Sequence, residues 1–389
     1  MSLYSKRGVS AQKEEVLNAT RHLHKGLYDH SFCKIYNDFL GNDDGYVNIM
    51  HADGAGTKSI LAYLHWKETG DISVWKGIAQ DAVVMNLDDL LCVGVHDNLL
   101  FSSIIDRNKT YIPGEVLEVL INATQEIFNW LKDFDINIHY LGGETADVGD
   151  IVRTIAVNGT MTARWPKNKL ITNQKINAGD VIIGLASDGR TTYENEYNSG
   201  IGSNGLTSAR HDVLKKQYAT NYPQTFEPQL PVDVVYIGEH SLNDKVEVNE
   251  EHITTGRLLL SPTRTYAPFM KELLLKHFNE INGLVHCSGG GQTKCMKYLP
   301  GTFKVIKDNL FEPPVIFDII QKASKADFME MYQVFNMGHR MEIFVAAKNA
   351  DKILGLAESF KLKAKIIGKV EAAPQNELLL KGSFGEISY

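Results

Sequence analysis

Two opposite charges, Asp53 and Lys58, flank a glycine turn in the stretch His51–Ser59, HADGAGTKS. A carboxylate can ligate magnesium and an ammonium can meet phosphate oxygens, so the pair suits a nucleotide site. Gly54 and Gly56 let the backbone turn and approach a ligand closely, and Thr57 and Lys58 open what reads as a helix whose first N–H groups can bind phosphate. The stretch equally fits a plain strand-to-helix turn with surface charges, because short glycine motifs recur by chance. Two other phosphate loops are excluded. A G-x-x-x-x-G-K-[ST] loop fails because Thr57 separates Gly56 from Lys58, and G-x-G-x-x-G fails because Ser59 stands at its third glycine.

A second set of acids, Asp81, Asp88 and Asp89, lies in the otherwise apolar run DAVVMNLDDLLCVGV. On a helix, Asp81 and Asp88 fall within about 20° of each other and Asp89 about 80° round. Carboxylates crowded in apolar surroundings raise one another's pKa unless a cation or a hydrogen-bond network offsets them. A hard metal with oxygen ligands would do so, and a solvated polar edge would avoid the cost. A third group, Glu144, Asp147 and Asp150, follows Gly142 and Gly143 in GGETADVGD, expected as an acidic loop leaving the strand Asn137–Leu141. Further on, Gly202–Gly205 is expected to open a helix near Leu206, and Ser261–Arg264 to start another. Ser288–Gly291 reads as an anion nest or a flexible turn.

The elements that must position these groups can be read from periodicity. Strands are expected at Tyr46–Met50, Leu99–Ile105 and Ile151–Trp165, the last as one strand or a hairpin. Helical spacing covers Ile60–Trp66, Ile72–Cys92 and Pro113 to about Phe134. An N-terminal helix capped by Ser10 would carry Val16, Ala19, Leu23 and Leu27 on one face. The polar stretch Pro166–Gly179 reads as a linker, dividing residues 1–175 from 176–389. Beyond it come strands Val181–Ala186, Gly283–Cys287, Met341–Ala346 and Ala364–Val370, with helices Phe328–Phe335 and Lys352–Phe360. Alternating strands and helices with antiparallel-compatible hairpins imply two α+β domains.

Composition narrows the partners. With 389 residues, 43% hydrophobic and 22% charged, the chain has the make-up of an ordinary soluble globular protein. A net charge of −7, with no compensating Lys/Arg cluster, argues against nucleic acid as a partner. The four cysteines, Cys33, Cys92, Cys287 and Cys295, show neither CxxC nor zinc spacing, as expected of reduced thiols in a cytoplasmic protein. The start MSLYSKRGVS lacks an apolar signal segment, and Asp88 and Asp89 interrupt the most apolar interior stretch, so no membrane partner is expected.

Taken in order, these loops resemble those of the aminoimidazole ribonucleotide synthetase, or phosphoribosylformylglycinamidine cyclo-ligase, family. HADGAGTK resembles D-G-V-G-T-K, DAVVMNLDDLLCVG resembles D-x-V-A-M-x-V-N-D-L, and GGETAD resembles G-G-E-T-A-E. In the second half GSNGLTSAR is similar to H-S-N-G-Y-S-L-x-R, SPTRTY to P-T-R-I-Y, HCSGGG to H-I-T-G-G-G, and FNMGHRM to F-N-M-G-x-G-M. The resemblance implies an ATP-dependent ring closure of formylglycinamidine ribonucleotide to aminoimidazole ribonucleotide, ADP and phosphate in purine biosynthesis. It implies ATP and Mg2+ as cofactors and a ribonucleotide substrate. Metal ligands would be Asp53, Asp81, Asp89 and Glu144. Gly54, Gly56, Thr57, Lys58, Gly142, Gly143 and Asn336 would join Asp53 in binding the nucleotide and its surroundings, with Lys58, Asn204 and His286 as catalytic candidates.

The same resemblance implies a ferredoxin-like N-terminal domain that pairs in a homodimer, followed by an α+β C-terminal domain. The strands Tyr46–Met50, Leu99–Ile105 and Ile151–Met161 carry apolar residues at both alternations, which agrees with a sheet covered on both faces. Departures from the family are local. KGLYDHSFCKI replaces its N-terminal glycine-rich loop, Gly202 stands where it has histidine, and Asp88 stands where it has asparagine. Its aspartate-tyrosine pair becomes Ser102-Ser103, with Asp106 beyond. Two alternatives are a related small-molecule kinase of the thiamine monophosphate kinase type and a non-catalytic nucleotide-binding regulator. The latter would be expected to have lost the metal acids, and all four are present.

Overall fold

The computed structural model describes residues 3–10 and 14–389. Two short helices, α1 (Leu3–Lys6) and α2 (Glu14–Thr20), begin the chain. The helix expected to run to Leu27 stops at Thr20, and Val16, Leu23 and Leu27 are exposed, so their spacing marks no buried face. The residues between Ser10 and α2 lie outside the described residues.

β1 (Ile35–Asn37), β2 (Tyr46–Gly54), β3 (Leu99–Arg107), β4 (Ile138–Asp147) and β5 (Ile155–Pro166) form one sheet in the order β1-β2-β5-β3-β4. Helices α3 (Lys58–Thr69) and α4 (Trp75–Leu91) connect β2 to β3, and α5 (Gly114–Lys132) connects β3 to β4. The ferredoxin-like expectation is refined here. A ferredoxin-like sheet follows β-α-β-β-α-β. Here, after β1, the order is β-αα-β-α-β-β, with β3 and β4 parallel because α5 crosses between them and β5 inserted antiparallel between β2 and β3. α4 packs across β2 and β5, and α5 packs on α4 and β4, so the helices cover one face only. That face is built by the alternation in β5, where Ile155, Val157, Met161, Ala163 and Trp165 are buried.

The second sheet has seven strands. In spatial order they are Ile281–His286, His339–Ala346, β6 (Asp180–Ala186), Ala364–Ala372, Phe303–Lys307, Glu377–Gly382 and Gly385–Ser388. All neighbours are antiparallel except Phe303–Lys307 with Glu377–Gly382. Seven of the eight residues of His339–Ala346 are buried, as befits a strand covered on both faces. The molecule is α+β throughout, and no helix among the described residues is long and apolar enough to cross a membrane.

Three motif stretches differ from their expected local form. Asp53 and Gly54 belong to β2, and GGETAD continues β4 instead of leaving it as a loop. Close packing is the reason. A Cβ on Gly54 would lie 2.5 Å from the Val157 carbonyl, and one on Gly143 would lie 1.9 Å from that of Ser103, so glycine serves strand pairing here. Ser261–Tyr266 is non-helical, lying between the helix Thr255–Leu260, whose cap Thr254 accepts from Arg257 N, and the helix Ala267–His277. Its backbone is used by the acids of α4.

Candidate active site

The three acids of α4 are all buried, and the helical wheel accounts for where each one goes. Asp81 and Asp88, two turns apart on one face, both reach the Ser261–Tyr266 segment. Asp81 Oδ1 accepts from Thr263 N at 2.7 Å, Thr263 Oγ1 at 2.6 Å and Lys58 Nζ at 3.0 Å. Lys58 also donates to the Ser261 carbonyl at 2.5 Å, and Thr263 Oγ1 lies 2.9 Å from Ser203 Oγ. The expected phosphate contact Lys58 is therefore enclosed between the two halves, with burial pulling its pKa down against the attraction of Asp81. Asp81, expected on magnesium, is its counter-ion, although Asp81 Oδ2 has no partner.

Asp88 Oδ1 accepts from Thr265 Oγ1 at 2.7 Å, and Asp88 Oδ2 lies 3.8 Å from Arg340 Nη2. Burial raises its pKa, opposed by Arg340 and the hydrogen bond from Thr265. Asp89, on the other face, binds two imidazoles: His286 Nδ1 at 2.6 Å and His51 Nε2 at 2.9 Å. Burial alone would raise the Asp89 pKa, but hydrogen bonds from His286 and His51 outweigh it and hold the carboxyl well below its ordinary value. His51 is the mirror case, with burial lowering its pKa and Asp89 more than reversing that. The far nitrogen of His286, Nε2, accepts from Arg340 Nε at 3.0 Å. A continuous chain Asp88–Arg340–His286–Asp89–His51 thus runs from α4 through the second half and back to β2.

That end of the first sheet is exposed. Asp53 continues the inward alternation of Val47 and Ile49 just beyond the helices, and its Oδ1 accepts from Gly54 N at 2.7 Å. Glu144 pairs with Ile104, whose side chain lies on the opposite, uncovered face. Two strands, β5 and β3, separate β2 from β4, which places Asp53 and Glu144 roughly 14 Å apart at ~4.8 Å per strand. One magnesium ion with bonds of about 2 Å cannot join them, and the four expected metal ligands do not converge within this chain. In donor chemistry Asp53 and Glu144, both exposed carboxylates, fit a hard cation, whereas Asp81 and Asp89 are buried.

Some of the remaining expected residues lie near the same seam. Thr57 Oγ1 lies 2.9 Å from Thr207 Oγ1, so the Gly56–Thr57 turn touches the start of α6 (Leu206–Val213). Asn204 packs against Gly289 of the second glycine turn. Asn336 is a clip: its Oδ1 accepts from Ser187 Oγ at 2.7 Å and Gly338 N at 3.0 Å, and its Nδ2 donates to the Gly200 carbonyl. Gly142 and Gly143 lie in β4, away from these contacts. Three residues central to the network were not singled out from sequence as site residues: His51, Arg340 and Thr263. For Arg340 a signal existed, since it stands at a glycine of F-N-M-G-x-G-M. Cys287, His339 and Glu342 also gather, with ligand atoms within 4.8 Å, but Glu342 is already paired with Lys307.

The folded pair of α+β domains and a seam built from motif loops of both define a class of two-domain enzymes. Comparison with known proteins gives the family. Residues 38–165 match the AIR synthase related protein N-terminal domain and residues 177–381 its C-terminal domain, and the chain belongs to that family. It is 30% identical over 325 residues to a protein named phosphoribosylformylglycinamidine cyclo-ligase of Methanocaldococcus jannaschii, covering 84% of this chain and 78% of that one. A Methanococcus vannielii protein of the same name is 29% identical over 328 residues, with the same coverage of 84% and 78%. Among solved structures, T. maritima PurL complexed with FGAR superposes with a TM-score of 0.56 at 14% identity, covering 97% of this chain. The present chain spans about half of that PurL chain, 49%. AaThiL complexed with AMPPCP and TMP gives a TM-score of 0.54 at 10% identity, covering 95% of this chain and 93% of that one. At these identities the structural likeness establishes the fold alone.

Proposed function

We propose that this protein catalyses the ATP-dependent closure of formylglycinamidine ribonucleotide to aminoimidazole ribonucleotide, ADP and phosphate. The observation that carries this reading is the match of both halves to one family whose relatives, over 84% of the chain, bear the cyclo-ligase name. The site agrees in kind. It offers carboxylates, imidazoles, an ammonium and backbone N–H groups, which suit a reaction run by positioning and electrostatics. ATP and magnesium are the proposed cofactors, with Asp53 and Glu144 as the carboxylates open to the cation. Bound magnesium would supply neutralising charge for phosphate oxygens. Lys58, Asp81, Asp89 and His286 would hold the two halves in register around the ligands, and Asn204 would border the ribonucleotide.

A division into domains near residue 175, a cytoplasmic location and a homodimer complete the proposal. The uncovered face of the first sheet supports the dimer. Met50 is 64% exposed, Leu141 63% and Ile104 41%, an apolar face that a two-fold copy would bury. Incubation with ATP, magnesium and formylglycinamidine ribonucleotide should yield aminoimidazole ribonucleotide with one ADP per ring closed. ADP release independent of the ribonucleotide, or none at all, would refute the assignment.

A further inference from the structure

The second half contains a buried cation whose donors are not all used. Arg340 is 2% exposed, on the strand His339–Ala346. Its Nε donates to His286 Nε2 at 3.0 Å, its Nη2 donates to the Arg264 carbonyl and lies 3.8 Å from Asp88 Oδ2, and its Nη1 has no partner. An unpaired guanidinium N–H in the interior is a costly arrangement that an arriving oxygen would relieve. Nη1 points at the Gly202–Gly205 turn: a Cβ built on Gly202 would lie 3.5 Å from it. Gly202 has φ +68, a conformation open to glycine, and Ser203, Asn204 and Gly205 reach the surface. Asn204 in turn borders Gly289, and the glycine turn after Ile281–His286 supplies further backbone N–H groups.

The donor arrangement also fixes His286. Because Nε2 accepts from Arg340, the proton of the neutral ring sits on Nδ1 and faces Asp89. His286 has no nitrogen left for a ligand. Three of this chain's departures from the resembled motifs, Gly202 for histidine, Arg340 for glycine and Asp88 for asparagine, meet at this one point.

We propose that Arg340, and not His286, meets the ligand here, its Nη1 binding a phosphate oxygen of a bound nucleotide at the Gly202–Asn204 turn. The proposal deepens the functional reading above and rests on it for the nucleotide's identity. The phosphate can come from the ribonucleotide monoester or from ATP, and calorimetric titration of each separately, without turnover, distinguishes the two. Arg340→Lys keeps the charge beside Asp88 but cannot donate to His286, Arg264 and a phosphate together. It should weaken one of the two ligands about 10-fold or more, the scale of a charged hydrogen bond. It should leave the other within twofold. In 15N spectra the His286 Nε2 signal should shift as it loses its donor, while Nδ1 keeps its proton on Asp89.

If the lysine variant does not fold, Arg340→Gln with Asp88→Asn removes both charges together and carries the same test. Unchanged affinity for both ligands in a folded variant overturns the proposal. So does a wild-type protein that binds neither. A wild type that binds the ribonucleotide without closing the ring would sink only the functional reading.

Discussion

The seam between the two halves and the outer end of the first sheet both carry carboxylates, but they treat charge in opposite ways. In the seam, Asp81, Asp88 and Asp89 are buried and have cationic or imidazole partners, Lys58, Arg340, and His286 with His51; inside the second half Glu342 is buried against Lys307. At the sheet end, Asp53 and Glu144 stand exposed, on opposite faces of the sheet. The contrast teaches that acids in an apolar helix point to compensation without saying by what. Here the protein supplies the cations where water is excluded, and the carboxylates open to an outside cation are the exposed ones.

The contrast breaks first at Lys58. Replacing it with alanine strands Asp81 in the interior, a loss of about 3–5 kcal/mol for a broken buried pair. The ligand-free variant should unfold far earlier than wild type in a thermal or denaturant scan. An unchanged midpoint with a raised ATP requirement would return Lys58 to the phosphate contact that its position after Gly54 and Gly56 suggests.

A second test uses acid. The Lys307 ammonium and the His339 hydrogen bond overcome burial and hold the Glu342 carboxyl down to about 2, against an ordinary 4.5. A depressed carboxylate contributes stability that is complete above the unfolded value and fades as pH falls through the folded one. The window is therefore between about 4.5 and 2, and the loss across it is roughly 3 kcal/mol at 1.36 kcal/mol per pH unit. Glu342→Gln, less stable at neutral pH, should lose less of its remaining stability over that interval. An identical acid profile for the two proteins would place the acid sensitivity elsewhere.

How far the sequence already contained this contrast differs residue by residue. The shared face of Asp81 and Asp88 follows from seven residues at helical pitch, and both do reach one segment. Their partners could not be read that way, because Thr263 lies 182 residues from Asp81 and His286 197 from Asp89, and such pairings are set by how sheets and helices stack. Many strand and helix positions followed from periodicity, but β1, the strands Phe303–Lys307, Glu377–Gly382 and Gly385–Ser388 and the helix Val315–Ser324 were not read from it. Nor was GGETAD, since paired glycines signal a turn locally, whereas Gly143 is needed because β3 passes too close for a side chain. The helical reading of Ser261–Arg264 failed for a related reason: Thr263 gives its N–H to Asp81, a tertiary partner no local rule supplies.

On the outer face the expected effect is smaller and concerns assembly. Met50→Asp combined with Leu141→Asp places charges where two apolar patches are proposed to meet, leaving the seam untouched. Light scattering should show the wild type as a salt-insensitive dimer and the variant as a folded monomer near 43.5 kDa. A wild type that is itself an active monomer would remove the dimer from the proposal.

The sharpest separation of the two regions comes from Asp53, although its energy is the least. It lies at the end of β2, exposed, with its Oδ1 on the adjacent Gly54 N–H. Asp53→Asn preserves that hydrogen bond and strands no buried charge, so the unfolding midpoint should move little, as for surface substitutions generally. If the open carboxylates hold the cation, ring closure at limiting magnesium should fall at least ~10-fold, the scale on which disturbed metal ligation acts, and recover in part as magnesium is raised. Asp81→Asn should show the reverse pattern, a loss of stability from weakening the Lys58 pair with the magnesium requirement little changed. Because the two aspartates lie on either side of the boundary between buried and exposed charge, exchanging these outcomes would invert the whole assignment. It would make the buried set the metal site and leave Asp53 to the strand end.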